Sequence, residues 1–282
     1  MTLPELAVIT ISYNQGAFLK TAIKSVLNSG VDVEYVLVDP GSRDDSRDII
    51  RNYQPHLAHA ILEPDNGPAD GLNKGIHSTT SAIVGCINAD DYYLDGALSQ
   101  VVTVFRRCPD VDVLTGHGLI TDEYGHPVRR LHSTNFSPLL YARGASLTVQ
   151  QATFFRREAF ERAGGFNVSN GVSWDAELLI DMALSGSTFR RVNAYWGAFR
   201  FHVGSITASG KLRQQYLAEQ KRLLAKVLGR SPNRGDLALH RVGRVHKWLR
   251  HPTDTVLRVS DALRAGRSGV FSLVETGAGR DV

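Results

Sequence analysis

The chain has 282 residues, of which 43% are hydrophobic and 21% are charged, a composition typical of a globular protein with a sizeable core. No apolar run approaches the ~20 residues of a membrane-spanning helix. The N-terminus has no basic segment ahead of a hydrophobic one, which argues against a secretory signal. Cys86 and Cys108 are the only cysteines, so we expect a cytoplasmic protein with reduced thiols and no disulfide framework.

Charge is unevenly distributed along the chain. Residues 1–210 contain 17 Lys and Arg and 22 Asp and Glu, a net charge of −5, whereas residues 211–282 contain 15 and 6, a net charge of +9. The overall charge of +4 therefore comes from the C-terminal part of the sequence. It does not indicate a protein that binds nucleic acid over its whole surface.

The first 110 residues alternate predicted strands with predicted helices. Strands separated by helices of ordinary length predict right-handed βαβ units and an α/β fold with a mixed, mostly parallel sheet flanked by helices. Hydrophobic periodicity and turn residues place the strands at 6–12, 33–38, 58–62 and 82–87, and the helices at 17–27, 46–53, 69–77 and 96–107.

After residue 110 the predicted elements are shorter and less regular. We place a domain at 1–210, made of a nucleotide-binding half at 1–110 and an acceptor half at 111–210, followed by a basic helical extension at 211–282. Strands are predicted at 111–114, 118–121, 151–156, 189–192 and 195–201, and helices at 158–163, 176–184 and 211–228.

Three polar sites follow predicted strands: Tyr13, Asp39 and the pair Asp90-Asp91. In open α/β sheets, ligands bind beyond the carboxyl ends of the strands. Tyr13 offers an aromatic face on which a nucleobase can stack, or it packs over a loop. Asp39 can accept hydrogen bonds from a base or a ribose, although Asp-Pro-Gly-Ser is also a good turn sequence.

Asp90 and Asp91 are the most informative of these residues. They directly follow the apolar run 82–87, so they lie where a core strand emerges into a loop. Neighbouring buried carboxylates repel each other and lose solvation, and such a pair persists when a cation compensates it. Mg²⁺ with a phosphate-bearing ligand meets that need. The alternative is a strand-end turn with solvated aspartates.

Six ordered sequence blocks resemble the family 2 glycosyltransferases, which are inverting enzymes with a GT-A nucleotide-sugar-binding fold. The resemblance extends over roughly residues 6–207, and no single block would be specific without the others. The blocks are VITISYN at 8–14, VLVDPGS at 36–42, DNGPADGLNKG at 65–75, NADD at 88–91, QATFFRR at 151–157 with GGF at 164–166, and FHVGS at 201–205.

The resemblance implies roles for the strand-end residues. Asp91 would coordinate a divalent metal, Mg²⁺ or Mn²⁺, Asp90 would contact the ribose or the sugar, and Asp39 would contact a uracil. Asp70 matches an acidic position of the donor site. His202 would complete the metal shell or contact the diphosphate, although a lone histidine is more often structural or solvated.

Lys74 and the two arginines of QATFFRR have less specific signals. Lys74 is either a phosphate partner or a solvated helix lysine. One of Arg156 and Arg157 faces the acceptor or its phosphate, or both lie on the surface. Gln151 is an expected acceptor-site residue, in a Gln150-Gln151 pair where relatives commonly have His-Gln.

Direct displacement at an anomeric carbon also requires a base for the acceptor hydroxyl. Asp175 opens a predicted helix and matches the acidic pair of the family, so it is the expected base, with Glu177 as the second candidate. The helix dipole alone would explain both acids. Relatives often have Asp-aromatic-Asp where this chain has Asp175-Ala176-Glu177.

The expected function is transfer of a sugar from a nucleoside-diphosphate donor, UDP-linked by preference, to a hydroxyl of a glycan or a lipid-linked acceptor. A sugar-1-phosphate nucleotidyltransferase is disfavoured because loop 12–16 lacks the glycines and cations that hold a triphosphate. A non-catalytic nucleotide-sugar-binding protein remains the other alternative. Segment 240–250 interleaves basic and apolar residues, so it either packs as a solvated helix or contacts the inner face of the membrane peripherally.

Overall fold

The computed structural model of the chain describes residues 4–202, 212–236, 238–240 and 242–243. The strands described are β1 Leu6–Ile11, β2 Val33–Val38, β3 His59–Ile61, β4 Ile83–Asn88, β5 Tyr92–Tyr93, β6 Val113–Thr121, β7 Pro127–Leu131, β8 Thr153–Arg156 and β9 Phe189–Arg200. The helices are α1 Gly16–Leu27, α2 Ser46–Tyr53, α3 Pro68–His77, α4 Ala97–Arg107, α5 Pro138–Ala142, α6 Arg157–Arg162, α7 Trp174–Leu184 and α8 Arg213–Leu228.

One sheet contains all nine of these strands, in the order β3-β2-β1-β4-β8-β6-β9-β5, with β7 paired to β6. Strands β3, β2, β1 and β4 are parallel, as the alternation of strands and helices predicts. Ile11 is level with Val38 and with Asn88, so the loops that follow β1, β2 and β4 leave the sheet at one edge. The strand-end residues of the sequence analysis share that edge.

The second half of the sheet adds antiparallel pairs, with β8 between β4 and β6 and with β5 against β9. The strands predicted at 111–114 and 118–121 form one strand, β6, and those at 189–192 and 195–201 form β9. The sequence breaks correspond to shifts of register between β6 and β9 at Thr115–Gly118, not to turns. Strand β7, which was not predicted, is a partly exposed hairpin strand with two arginines and no apolar alternation.

Helices cover both faces of the sheet. Leu6 and Val8 of β1 pack with helices α1, α2 and α4, whereas Ala7 and Ile9 pack with α3, α6, α7 and α8. Burial on both faces explains why β1 is continuously apolar and not alternating. Gly75 brings α3 close to the sheet, because a Cβ at this position would lie 2.5 Å from Cγ2 of Ile9.

Helix α8 belongs to the same packed unit as the first 202 residues. Leu223 is fully buried in the core that contains α7. Gln220 accepts a hydrogen bond from the Tyr141 hydroxyl at 2.8 Å and donates one to Ser173 Oγ at 3.3 Å. The boundary predicted near Gly210 lies outside the described residues, as does most of the basic segment 240–250. Among the helices that the structure describes, none has the length and apolar composition to cross a bilayer.

Glu177 is the ion-pairing partner that holds α8 against α7. Its carboxylate is 1% exposed and accepts hydrogen bonds from Asn170, Arg222 and Lys226, at 2.7 Å from Asn170 and 3.0 Å from Lys226. Burial raises the pKa of Glu177, but these hydrogen bonds outweigh burial and lower it to about 2. A carboxylate so weakly basic and fully engaged is unsuited to deprotonate a hydroxyl, which contradicts its candidacy as a base.

We expect Glu177→Gln to destabilise the protein by roughly 2 kcal/mol at pH 7, because it removes charge-assisted hydrogen bonds to Arg222 and Lys226. The pKa of Glu177 is lower in the folded protein than in the unfolded chain, so its ionised carboxylate stabilises the folded state above pH 4.5. This contribution is lost as pH falls towards about 2. The difference between the two proteins in urea-unfolding free energy should therefore shrink over that interval.

The matched control is Asp48→Asn, which breaks a surface pair with Arg51 in which both side chains are more than half exposed. It should change the free energy of unfolding by less than about 0.5 kcal/mol. Equal effects of the two variants at pH 7 would show that Glu177 does not anchor α8.

Candidate functional site

The loop after β1 presents Tyr13 at the edge of the sheet. Asn14 has a φ of 54° and binds the neighbouring loop on both sides. Its N–H donates to Ser42 Oγ at 2.7 Å, and its Oδ1 accepts from the Arg43 N–H at 2.8 Å. The Tyr13 side chain is 59% exposed. An aromatic ring on an anchored loop is therefore available for stacking.

Asp39 lies beneath this loop and is fully buried. Its Oδ1 accepts hydrogen bonds from the backbone N–H of Gly41 and Ser42 and from Arg47 Nε, at 2.8–3.1 Å. Its Oδ2 accepts from the Ser42 hydroxyl at 2.5 Å. The carboxylate thus forms the turn that its sequence predicts, and Oδ2 retains capacity for one further donor. Arg47, which lies on the next helix, α2, is a partner that the sequence analysis missed.

Asp70 and Lys74 brace the loop that precedes α3. Asp70 Oδ2 accepts from the Asn66 N–H at 2.8 Å, and this bond lowers the pKa of Asp70. Lys74 Nζ donates to the carbonyl of Pro64 at 2.8 Å and lies 3.5 Å from Asp70. Lys74 therefore contacts the loop and is not a free solvated side chain, and its role as a phosphate partner stays a prediction.

Asp91 is buried, with 1% of its surface exposed. Its Oδ1 accepts from the Arg200 N–H at 2.9 Å, and its Oδ2 accepts from Gln151 Nε2 at 2.7 Å and from Asn88 Nδ2 at 3.3 Å. Burial, followed by the charge of Asp90, raises the pKa of Asp91 well above its ordinary value. These hydrogen bonds hold the Asp91 carboxylate inside the protein, and its role as the metal ligand stays a prediction.

Arg200 is a site residue that the sequence analysis did not identify. Its side chain donates to the carbonyls of Asp90 at 2.9 Å and Glu123 at 2.7 Å, and its guanidinium lies 4.9 Å from the ring centre of Phe18 and 5.3 Å from that of Tyr92. It is 109 residues from Asp91 in the chain, so no local sequence signal connects the two.

Asp90 and His202 form the accessible pair at this edge. His202 Nε2 lies 3.1 Å from Asp90 Oδ2, and the two side chains are 8% and 15% exposed. The His202 ring packs at 4.5 Å from that of Phe18. A carboxylate next to an imidazole is a donor set that fits Mg²⁺ or Mn²⁺. Among the described residues no three His, Cys, Asp or Glu side chains converge, so phosphate oxygens and water would supply the other ligands.

Asp175 lines a small, partly open pocket at the start of α7. The apolar side of this pocket includes Phe155, Phe166 and Trp174. Burial raises the pKa of Asp175, against the opposing effect of backbone N–H groups in the first turn of the helix. A carboxylate with a raised pKa is a stronger base than an ordinary aspartate, which suits proton removal from a hydroxyl.

The pair Gln150-Gln151 joins the two regions. Gln151 binds Asp91, whereas Gln150 lines the Asp175 pocket and donates to the Cys86 carbonyl at 2.8 Å. Gly197 permits this arrangement, since a Cβ there would lie 2.4 Å from the carbonyl oxygen of Gln151. Gln151, which we expected at the acceptor site, is buried and supports Asp91; its neighbour Gln150 occupies the pocket wall.

Arg156 and Arg157 have structural roles, which contradicts the expectation that one of them faces the acceptor. Arg156 donates to three carbonyls at the end of α4 and before β6. Arg157 donates to the carbonyls of Ile76 and Ser81 and to the Thr79 hydroxyl. Each guanidinium thus saturates buried carbonyls next to the sheet.

Comparison with known proteins identifies the family. Residues 7–164, more than half of the chain, match the family described as Glycosyl transferase family 2. A glycosyltransferase of Mycobacterium tuberculosis is 27% identical over 191 residues, which cover 64% of this chain and 70% of the relative. A PGL/p-HBAD biosynthesis glycosyltransferase of the same species is 28% identical over 190 residues, with 62% and 69% covered.

Solved structures have the same fold. S. aureus TarS in complex with UDP-GlcNAc matches with a TM-score of 0.64 and 16% identity, over 88% of this chain and 72% of TarS. The mannosyltransferase PcManGT from Pyrobaculum calidifontis, in complex with GDP-Man and Mn²⁺, matches with a TM-score of 0.61 and 18% identity, over 97% and 79%. The expected GT-A architecture, a mixed sheet flanked by helices, is thereby confirmed.

Among these matches, neither the nucleotidyltransferase nor the non-catalytic binding protein finds support. The ordered strand-end blocks, the shared fold and the family match over residues 7–164 have one explanation: the chain belongs to glycosyl transferase family 2 and is a glycosyltransferase.

Proposed function

We propose that the protein transfers a sugar from a nucleoside-diphosphate donor to an acceptor hydroxyl, with inversion at the anomeric carbon. The observation that carries the proposal is a pair of carboxylates in different surroundings. Asp90 lies beside His202 at the edge of the sheet, and Asp175 lies in a pocket that raises its pKa. Asp90 would bind a cation, and Asp175 would accept a proton.

The donor nucleotide would bind across the loops that follow β1 and β2. Tyr13 is exposed for stacking on the base, and Asp39 Oδ2 accepts one hydrogen bond and can accept another. We favour a UDP-linked sugar, in keeping with the complexes of TarS with UDP and with UDP-GlcNAc. Asp70 and Lys74, which hold the adjoining loop, would shape this part of the site.

Asp90 and His202 would hold the divalent metal, Mg²⁺ or Mn²⁺. The sequence analysis had instead assigned the metal to Asp91 and His202. The metal, when bound, neutralises the negative charge that develops on the departing diphosphate. The Mn²⁺ in the complex of PcManGT supports a metal in this protein too. Asp91, Gln151 and Arg200 keep the loop that carries Asp90 in place.

Asp175 would act on the acceptor. As the acceptor oxygen attacks the anomeric carbon, its proton passes to the Asp175 carboxylate and the bond from that carbon to the diphosphate breaks. The new bond forms on the face opposite the leaving group, so the configuration inverts in a single step without a covalent glycosyl-enzyme. The apolar wall of the pocket limits water and strengthens the base.

The acceptor would be a hydroxyl of a glycan or of a lipid-linked glycan. The PGL/p-HBAD biosynthesis relative supports a glycolipid acceptor. Peripheral contact with the inner face of the membrane would bring such an acceptor within reach, and the net charge of +9 over residues 211–282 favours an anionic surface.

We expect Asp175→Asn to lower kcat by roughly 10²- to 10⁴-fold, because the amide cannot accept the proton. Asp175 must be ionised to act, so activity is lost as pH falls through its pKa. Since burial raises that pKa, the acid limb of kcat/KM should lie at higher pH than for an ordinary aspartate. Release of nucleoside diphosphate from a panel of nucleotide sugars measures both effects.

The control is Asp181→Asn on the same helix, where the carboxylate pairs with Lys226 and is remote from the pocket wall. Its kcat should stay within about twofold of the native value, as usual for a residue that contacts no reacting group. A native kcat in Asp175→Asn would eliminate Asp175 as the base.

Asp90→Asn should raise the metal concentration for half-maximal activity by roughly ten- to a hundredfold, because a neutral amide binds the cation more weakly than a carboxylate. Asp91→Asn should mainly lower the melting temperature, because it disturbs the hydrogen bonds to Arg200, Gln151 and Asn88. Titrations of activity with Mn²⁺ and with Mg²⁺ distinguish the two variants. A shift in metal requirement in Asp91→Asn alone would restore Asp91 as the ligand.

A further inference from the structure

One side-chain oxygen beside the Asp175 pocket is buried without a donor. The Gln150 amide nitrogen donates to the Cys86 carbonyl at 2.8 Å, whereas Oε1 of the same amide finds no hydrogen-bond partner among the described residues. The orientation of the amide follows from chemistry, since a carbonyl oxygen can only accept and Nε2 is the donor of the pair. Oε1 is thus an acceptor held in place by a bond on its other side.

Buried acceptors in folded proteins nearly always have a donor, and the exceptions point to a role or a bound molecule. Gln150 shares its pocket with Asp175, Thr148 and Thr153. Thr153 does not supply the donor, because its hydroxyl donates to the Val149 carbonyl at 2.8 Å. The pocket is small and partly open, with room for a group the size of a hydroxyl or a water molecule.

We propose that Gln150 Oε1 accepts a hydrogen bond from one sugar hydroxyl that enters this pocket beside Asp175, and that Gln150 thereby selects substrates carrying this hydroxyl. The inference rests on the proposed glycosyl transfer and names a specificity residue for it. A substrate that lacks the hydroxyl leaves Oε1 buried and unpaired, which a site of this kind penalises strongly.

The neighbouring glutamine does not share this role. Gln151 Nε2 donates to Asp91, and the side chain is buried away from the pocket wall. Two adjacent and chemically identical residues are therefore used for different purposes: Gln151 positions the Asp90-Asp91 loop, and Gln150 contacts the substrate. The Cys86 carbonyl, which is level with Ile9 in the centre of the sheet, gives the Gln150 amide a rigid anchor.

The test combines substrate analogues with variants of Gln150. Native protein, Gln150→Met and Gln150→Leu are assayed with monodeoxy analogues of the donor sugar and, separately, of the acceptor sugar. Gln214→Met, the same substitution at an exposed glutamine on α8, is the matched control.

We expect one analogue to lose roughly tenfold or more in kcat/KM on the native protein and on Gln214→Met. That loss should shrink to within about twofold on Gln150→Met, since the coupling between a hydroxyl and its acceptor vanishes when the acceptor is removed. The donor series or the acceptor series then identifies which sugar supplies the hydroxyl that enters the pocket. A purely structural role of Gln150 would lower activity equally for all analogues.

Each other outcome overturns the proposal. If every analogue suffers the same loss on native protein and on Gln150→Met, sugar transfer stands and Gln150 does not recognise a hydroxyl. If native protein transfers no sugar from any donor, the proposed function fails and this inference fails with it. Should Gln150→Met not fold, judged by its melting temperature, Gln150→Leu takes its place: it also lacks the oxygen acceptor, and the loss for that analogue must again shrink to within about twofold.

Discussion

The hydrogen bonds to the buried carboxylate of Asp91 are the interactions on which the rest of the site depends. It accepts hydrogen bonds from the backbone of β9 at Arg200, from Gln151 before β8 and from Asn88 at the end of β4. Three segments that are distant in sequence therefore meet on one side chain. A buried carboxylate demands such partners, since leaving any oxygen unsatisfied would destabilise the fold.

This arrangement divides the work between two adjacent aspartates. Asp91 is directed inwards and organises the loop, while Asp90 is directed to the edge of the sheet and lies beside His202. Arg200 strengthens the division because it binds Asp90 through the backbone carbonyl and leaves the carboxylate of that residue to other partners. The backbone of the loop is thereby held at Asp90, while the carboxylate of Asp90 is 15% exposed and lies beside His202.

Helix α7 separates its two acids in the same manner. Asp175 and Glu177 are two positions apart, which places them about 200° apart around a helix. Asp175 consequently lines the pocket, and Glu177 pairs with Arg222 and Lys226 of α8. Part of the positive charge of the C-terminal region is therefore used within the protein, where it fastens α8 to the helix that carries the proposed base.

Local pattern alone determined the elements of the first half of the chain and the edge at which their polar residues meet. The bounds of β2 and α2 agree with the prediction, because hydrophobic periodicity and turn residues are local properties. The ordered blocks also sufficed for the family. Less regular segments were predicted poorly. The short elements β5, β7 and α5 were not predicted. Strands β6 and β9 were each predicted as two strands, because they contain polar or glycine positions that mimic breaks.

Tertiary structure alone decided the roles within the site. Which of Asp90 and Asp91 is buried, which of Gln150 and Gln151 lines the pocket, and which of Asp175 and Glu177 is ion-paired depend on partners more than 40 residues away in the chain. Adjacent residues of one chemical type carry the same sequence signal, and only the packing of distant strands and helices gives them different surroundings and a different accessibility.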